Sequence, residues 1–240
     1  MVRRNRRPDS SRVIFDLNTQ CDFLLSRGAL PVVNRGEIVP RIRAIMDWAR
    51  TRRVPVISSI DAHRPSESQN GQRRHCIDNT SGQLKVPFTL LPRRAMLAND
   101  NTLDVPLDIF TRHRQVILAK RSRDFLANPK ADRLATELPA EYFICFGVAT
   151  EVCVKSVVLG LIARRRAVVV VSDAVGHWSA AEAELALRQM AAKGAVLVTT
   201  EQLVSDATIE VPRPIVPIES QEAAAEVARM LAPARARGVA

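Results

Sequence analysis

The sequence predicts an α/β fold, a three-layer α/β/α sandwich built on a mostly parallel, six-stranded sheet. Short apolar runs, typical of buried strands, alternate with longer stretches of helical periodicity. The helical stretches are long enough to act as crossovers, and crossovers of this kind make the strands that they connect parallel. Hydrophobic residues form 47% of the 240 positions, enough for a sizeable core in one domain.

The predicted elements follow one another along the chain. Strands are expected at residues 13–16, 54–61, 116–120, 142–146, 168–173 and 195–198. Helices are expected at residues 37–52, 130–137, 180–193 and 200–205, with a further helix directly after Thr150. The stretch over residues 62–101 shows little periodicity and is interpreted as a long loop. Loops of this length inside a compact domain are usually functional.

A single domain over residues 13–206 is predicted, with a basic tail over 1–12 and a C-terminal extension over 207–240. The extension includes a predicted helix over residues 220–231. The tail has no apolar segment of the signal-peptide kind, and no apolar run approaches the ~20 residues of a membrane helix. The four cysteines form no CxxC pair, which is typical of a reducing compartment. We therefore expect a cytoplasmic protein.

The net charge of +10 raises the question of nucleic-acid binding. The arginines that produce this charge are scattered along the chain, and aromatic residues form only 4% of it. Base-stacking platforms are hard to build from so few rings. We interpret the charge as a solvated surface, so neither a nucleic acid nor a membrane is expected as a partner.

Four reactive side chains fall at or just past the ends of separate predicted strands: Asp16, Asp61, Lys120 and Cys153. Parallel strands end at one edge of the sheet, where ligands bind, so these groups are expected to converge. Thr150 is a candidate N-cap that would place Cys153 in the first helical turn, where a thiolate is favoured. Cys153 is then a candidate nucleophile and Asp16 its candidate base, held by Lys120. The alternatives are a buried packing cysteine and a purely structural Asp–Lys pair.

A second group of side chains, in and beside the long loop, suggests a metal site. Asp61 and His63 are two residues apart in an extended segment and therefore face the same way. His75 follows in the loop, and Glu67 between the two histidines is a further candidate ligand. A carboxylate and two imidazoles suit a divalent metal such as zinc, with positions left for water or substrate. Ordinary histidines of a surface loop are the alternative.

Four separate motifs resemble those of the isochorismatase-like cysteine hydrolases, and within them the nicotinamidases. The segments are FDLNTQCDFL, SIDAHRP with RRHCIDNTSGQ, LAKRSRDFLANP and FGVATEVCV. They occur in the same order as in that family, and the similarity runs from about residue 13 to residue 198. The resemblance implies the Rossmann-like α/β fold of that family and a small-molecule amide as substrate. Relatives of this kind often form dimers or larger assemblies, so a homo-oligomer is expected.

The resemblance also implies roles for individual residues. The catalytic triad would be Asp16, Lys120 and Cys153. The metal ligands would be Asp61, His63 and His75, with Glu67 as a possible fourth. The peptide bond between Val148 and Ala149 would be cis, and the Ala149 N–H would form an oxyanion hole with that of Cys153. The substrate pocket would include Gln20 and Phe23.

The implied reaction converts nicotinamide to nicotinate and ammonia through a thioester, a step in NAD salvage. The sequence departs from the nicotinamidase pattern at Arg73-Arg74, in the length of the loop between the two histidines, and at Asn18-Thr19, which lengthen the spacing to Gln20. These departures leave open a different small amide, or a ureido or carbamoyl compound, as substrate. A non-catalytic basic binding protein is the remaining alternative.

Overall fold

The structure is a computed structural model that describes residues 11–67, 73–205 and 209–212. Its strands are β1 (Arg12–Leu17), β2 (Val56–Asp61), β3 (Arg94–Leu97), β4 (Gln115–Lys120), β5 (Tyr142–Val148), β6 (Ala167–Gly176) and β7 (Val196–Val198). They form one sheet in the order β3-β4-β2-β1-β5-β6-β7, and every neighbouring pair is parallel. The predicted fold class is confirmed. The sheet has one strand more than predicted, because β3 lies in the stretch interpreted as a loop.

The helices are α1 (Cys21–Leu24), α2 (Arg35–Arg52), α3 (Pro129–Glu137), α4 (Lys155–Ala163), α5 (Ala180–Ala192) and α6 (Thr200–Val204). A π-helical turn, Thr150–Val154, leads directly into α4. Short 3₁₀ turns lie at Ser81–Gln83, Pro87–Thr89, Ile109–Thr111 and Phe125–Ala127. No helix in these described ranges combines the length and the apolar character needed to cross a membrane.

The helices cover the sheet on both sides, and each side has its own hydrophobic core. On the first side, which we call the α2 face, Ile14 and Val56 pack with residues of α2 and α6. On the opposite side, the α4 face, Phe15, Ile57 and Leu118 pack with residues of α3, α4 and α5. Successive side chains of a strand point to opposite faces, so the face of each polar residue near a strand end follows from its apolar neighbours.

Most of the predicted basic tail and of the C-terminal extension lies outside the described residues, as does the predicted helix over residues 220–231. Within the described part, the strands and helices fall close to their expected positions.

The carboxyl ends of β1, β2, β4 and β5 form one edge of the sheet, and this edge is the part of the fold that matters for function. Polar side chains meet there on both faces of the sheet.

Candidate active site

Cys153 lies in the π-helical turn that follows β5, at the carboxyl edge of the sheet. The chain reaches this turn through Gly147, whose φ is 122° and whose place tolerates no Cβ, because a Cβ there would lie 2.1 Å from the Leu17 carbonyl oxygen. The peptide bond between Val148 and Ala149 is cis, the bond to which the family resemblance assigns this geometry. Cys153 is therefore held at the start of a helix, directly beyond the centre of the sheet.

Thr150 does not cap this helix as predicted. Its hydroxyl instead donates a hydrogen bond of 2.8 Å to the Gly176 carbonyl, and Ala149 is the residue at the N-cap position. The first turn is π-helical rather than α-helical, which changes the expected side-chain to backbone geometry. The prediction that Cys153 lies in the first turn still agrees with the structure.

The side chains of Lys120 and Asn18 adjoin the Cys153 sulfur, and both favour its thiolate form. The Lys120 ammonium also donates to Asp61 Oδ1 and, over 3.1 Å, to the Ser122 carbonyl oxygen. Cys153 is 6% exposed and Lys120 is 3% exposed. A thiol, an ammonium, an amide and a carboxylate thus form one buried group, which we call the Cys153 cluster: Asn18, Asp61, Lys120 and Cys153.

Burial raises the pKa of the Cys153 thiol, and the nearby Lys120 charge with the hydrogen bonds from Lys120 and Asn18 offsets this only in part. Burial acts on Lys120 in the opposite direction and lowers its pKa. The negative charges of an ionised Cys153 and of Asp61 outweigh that effect, so the pKa of Lys120 stands above its ordinary value. The ion pair with Asp61 holds Lys120 in its ammonium form.

A backbone turn after β1 brings Asn18 into the Cys153 cluster. Its φ is 50°, a left-handed conformation that asparagine tolerates better than most residues. Its Oδ1 accepts a 2.6 Å hydrogen bond from the Ser59 hydroxyl, and its own backbone N–H donates to the same hydroxyl oxygen over 3.1 Å. Its Nδ2 donates to Asp61 Oδ2 over 3.3 Å.

Asp16 does not join Cys153, so its predicted role as the base of a triad is corrected. It follows Ile14 at the strand period of two and therefore points to the α2 face, whereas Lys120 follows Leu118 on the α4 face. Asp16 is fully buried, and its carboxylate is bound by Lys85 at 2.9 Å, Ser58 at 2.8 Å and Thr19 at 2.7 Å. The predicted Asp16–Lys120 pair is replaced by two separate pairs, Asp16–Lys85 and Asp61–Lys120.

The three predicted metal ligands come together. One donor atom each from Asp61, His63 and His75 lies within 4.8 Å of the others. His63 Nδ1 is 3.3 Å from Glu67 Oε1, and His75 Nδ1 is 2.8 Å from the Arg73 carbonyl oxygen. Such contacts assign the ring proton to Nδ1 and the lone pair to Nε2, the form in which histidine usually binds a metal. This donor set fits a divalent cation such as zinc.

Glu67 contacts His63 and is not among the three converging donors. One of its carboxylate oxygens accepts the Arg64 N–H and the other meets His63 Nδ1, and these contacts lower the pKa of Glu67. The structure thus places Glu67 behind His63, as a partner that orients the imidazole, and its predicted role as a fourth ligand is not supported.

Gln20 and Phe23, the predicted pocket residues, are both buried, and they contact different groups. Gln20 is fully buried, and its side-chain amide binds both the N–H and the carbonyl of Asp61, at 2.7 and 2.9 Å. It therefore holds the end of β2 and is not a pocket wall, which corrects the prediction. Phe23 lies in a row of rings that runs from His63 through His75 to Trp178, with centroid distances of 5.0, 5.3 and 5.9 Å along it.

Four residues near the site were missed by sequence analysis: Asn18, Ser59, Lys85 and Trp178. Ser59 had a usable signal, because it lies two residues before Asp61 on the same strand and must share its face. Asn18 had a weaker one, since asparagine is enriched at positive φ in tight turns. Lys85 and Trp178 lie in loops, and no local pattern connects them to the site.

Solved structures with the same fold include several hydrolases. The zinc complex of a pyrazinamidase from Pyrococcus horikoshii superposes with a TM-score of 0.63 at 23% identity, over 79% of this chain and 99% of that one. A pyrazinamidase/nicotinamidase from Streptococcus mutans gives a TM-score of 0.63 at 19% identity, over 78% and 100%. An N-carbamoylsarcosine amidase from Thermoplasma acidophilum gives 0.62 at 16% identity, over 83% and 99%.

No curated protein shows a significant sequence match to this chain. At identities this low, the structural likeness establishes the fold and not the substrate. A sequence model described as the isochorismatase domain matches residues 13–202, which is most of the chain and contains every residue of the Cys153 cluster and of the metal triad. The chain therefore belongs to the isochorismatase family of hydrolases.

Proposed function

We propose that the chain is a metal-assisted cysteine hydrolase that cleaves a small amide or a related acyl compound through a thioester at Cys153. The observation that carries this proposal is one chain of contacts at the sheet edge. It joins the Cys153 sulfur to Lys120, Lys120 to Asp61, and Asp61 to the two histidines of the metal triad. A nucleophile, a fixed cation and a metal site in one buried group are the parts that acyl transfer needs.

In this mechanism the Cys153 thiol loses its proton to solvent, and its sulfur bonds the acyl carbon. The bond from that carbon to the leaving group breaks, and the leaving group takes the electron pair. Lys120 and Asn18 both hold hydrogen bonds to the sulfur, so they stabilise the negative charge of the attacking thiolate. The backbone N–H groups of Ala149 and Cys153 are the proposed donors to the oxyanion, since both belong to the turn that presents the sulfur. Water then releases the acid from the thioester.

The residues that would hold the metal are Asp61, His63 and His75. A bound divalent cation supplies Lewis-acid chemistry and a fixed point for a ring nitrogen or an oxygen of the substrate. Gln20 and Glu67 support this set from behind, Gln20 through the Asp61 backbone and Glu67 through the His63 ring. Such supporting contacts orient ligands and are part of a working site.

Nicotinamide is the first substrate to test. Trp178, the half-buried end of the row of rings, supports a flat aromatic acyl group that would stack on it, whereas Phe23 is 1% exposed and packs behind Trp178. Ureido and carbamoyl compounds are the second class, because the family fold is shared with an N-carbamoylsarcosine amidase.

The test is release of ammonia or acid from a panel of nicotinamide, pyrazinamide, N-carbamoylsarcosine and simple esters, with purified protein loaded with zinc. We expect turnover of at least one member of the panel, and we expect Cys153→Ala to remove it. Turnover that survives Cys153→Ala would overturn the proposal, as would the failure of every member of the panel to acylate the protein.

A further inference from the structure

We propose that Asn18 is a catalytic residue that binds the reacting sulfur, and that its presence leaves the site without a proton donor for the leaving group. The site then favours acyl compounds whose leaving group departs unprotonated, such as esters, thioesters and imides, over primary carboxamides. This inference rests on the proposed function and narrows its substrate class.

Hydrogen bonds with Ser59 fix the orientation of the Asn18 side chain. Ser59 Oγ accepts the Asn18 backbone N–H, so the Ser59 hydroxyl proton is directed to Asn18 Oδ1. That contact turns Nδ2 toward Asp61 Oδ2 and the Cys153 sulfur. Both groups accept hydrogen bonds, which agrees with an amide nitrogen at this position. Asn18 therefore donates to the sulfur, and a side-chain amide neither gives up nor takes a proton at neutral pH.

The protons of the Lys120 ammonium already have acceptors. An ammonium has three hydrogens, and those of Lys120 are directed at Asp61 Oδ1, the Ser122 carbonyl oxygen and the Cys153 sulfur. All three are engaged before a substrate arrives. To protonate a leaving group, Lys120 would have to give up one of these buried contacts, which is costly.

The two carboxylates at this edge of the sheet, Asp61 and Asp16, are also engaged by protein partners. Asp61 accepts hydrogen bonds from Lys120 on one oxygen and from Asn18 on the other, and it belongs to the metal triad. Asp16 is on the α2 face, bound by Lys85 and by Ser58. Among the described residues, no side chain in contact with the sulfur therefore offers a spare acidic proton.

The chemistry that follows is selective for the leaving group. The Cys153 thiol first loses its proton to solvent, so that this proton is not held for the leaving group. Attack by the thiolate then forms the S–C bond, and collapse of the tetrahedral adduct breaks the bond to the leaving group, which takes the electron pair. An alkoxide, a thiolate or an imide anion can leave in this way, whereas an amine must be protonated first because its anion is far too basic. Water then forms a C–O bond and breaks the S–C bond. The electron pair of the broken S–C bond returns to the sulfur, which becomes a thiolate of low basicity. One proton of that water passes to the solvent and the other to the departed group.

The first test uses the wild-type protein, loaded with zinc, and three acetate esters whose leaving groups fall in basicity: ethyl, trifluoroethyl and p-nitrophenyl acetate. Acetylation of Cys153 is followed by intact-protein mass spectrometry. We expect the acylation rate to rise by about tenfold or more from ethyl to trifluoroethyl acetate, because a site without a proton donor is sensitive to leaving-group basicity.

The second test is Asn18→Asp, which places a carboxyl group that can carry a proton against the sulfur. We expect the ratio of acetamide to trifluoroethyl acetate turnover to rise by about tenfold or more, since a positioned proton donor typically contributes 10²–10⁴-fold. Ser58→Ala is the matched control. It removes a buried hydroxyl from the adjacent position of β2 on the α2 face, and the ratio should stay at its wild-type value.

The outcomes separate this inference from the function on which it rests. Equal acylation rates across the ester series would overturn the role of Asn18, and so would an unchanged ratio in folded Asn18→Asp, while acetyl-Cys153 would still support the cysteine hydrolase. Absence of acetyl-Cys153 with every ester would overturn both. If Asn18→Asp does not fold, the wild-type ester series decides the question alone.

Discussion

Two buried lysine–aspartate pairs lie within a few residues of the same sheet edge, one on each face. On the α2 face Lys85 binds Asp16, and on the α4 face Lys120 binds Asp61. Asp16 is surrounded by protein partners that satisfy it, namely Lys85, Ser58 and Thr19. Lys120 and Asp61 instead adjoin a cysteine and two histidines. The residue types are the same, and only the second pair has reactive neighbours.

The two lysines also differ in the direction of their pKa shifts. Burial lowers the pKa of Lys85, and the charge of Asp16 does not fully offset this. Burial acts on Lys120 in the same way, but the negative charges of Cys153 and Asp61 outweigh it and raise its pKa. Through its ion pair with Asp16, Lys85 fastens the loop after Gln83 to the end of β1, whereas Lys120 is paired with Asp61 beside the sulfur.

Among the variants that distinguish the functions of the two faces, Cys153→Ala is expected to have the largest effect on turnover. Removing a covalent nucleophile typically lowers kcat by about 10⁴–10⁶-fold. The free energy of unfolding should change by only about 1 kcal/mol, because a small apolar side chain replaces another at a buried position. Steady-state turnover and the thermal midpoint check both halves of this prediction, and a variant that keeps more than a tenth of the wild-type kcat would contradict it.

Asp61→Asn is expected to remove metal binding and, with it, most of the activity. The variant loses an anionic ligand and leaves Lys120 with a weaker partner. Zinc affinity should fall by more than the roughly 10–100-fold expected for the loss of a supporting contact. Glu67→Gln is the matched control, since Glu67 only supports His63, and its loss of affinity should stay inside that range. Equal zinc content of the two variants after dialysis would argue against the metal triad.

Asp16→Asn is expected to act on stability. It leaves the Lys85 ammonium buried without its countercharge, which typically costs about 3–5 kcal/mol. Denaturant unfolding measures the loss, and kcat of the folded protein should remain near the wild-type value. The double variant Asp16→Leu, Lys85→Met should recover much of the stability, because apolar side chains of similar size replace the pair. A loss of kcat without a loss of stability would indicate that Asp16 has a catalytic role after all.

The smallest expected difference comes from two adjacent serines of β2, both fully buried. Ser58 donates to Asp16 on the α2 face, and Ser59 donates to Asn18 on the α4 face. Each hydroxyl donates one buried hydrogen bond and accepts another, so each change to alanine should cost about 1–3 kcal/mol of unfolding free energy. Only Ser59→Ala should also lower turnover, by about fivefold, a difference of ~1 kcal/mol in the barrier. Equal turnover in the two variants would remove the functional distinction between the faces.

Much of the fold could be predicted from the sequence because most of its strands and helices are recognisable from their hydrophobic periodicity. The apolar runs of β1, β2, β4, β5 and β6 are buried on both faces, and this pattern is typical of parallel strands between two layers of helices. Strand β3 was missed because it is a four-residue edge strand, Arg94–Leu97, with two exposed positions. A short edge strand has little apolar pattern to show.

The site was predicted less completely, and the error at Asp16 has a physical cause. The sequence indicated that β1 ends near Asp16, but not that the chain turns at Asn18 into a left-handed conformation. That turn places Asn18 on the face of Lys120 and leaves Asp16 on the other. By contrast, Lys120 and Cys153 were expected at this edge because Lys120 ends a clear strand and Cys153 lies in the turn after another, and Asp61 and His63 were paired because their spacing of two fixes a common face.

The central claim is that the surroundings of Cys153 make it the reactive thiol of this protein. The most direct measurement is peptide mapping of the zinc-loaded protein after brief treatment with p-nitrophenyl acetate. Cys21 is the more exposed thiol, whereas Cys153 is 6% exposed. The account predicts that the acetyl group is found on Cys153 first. Faster labelling of Cys21, with Cys153 unmodified, would contradict it.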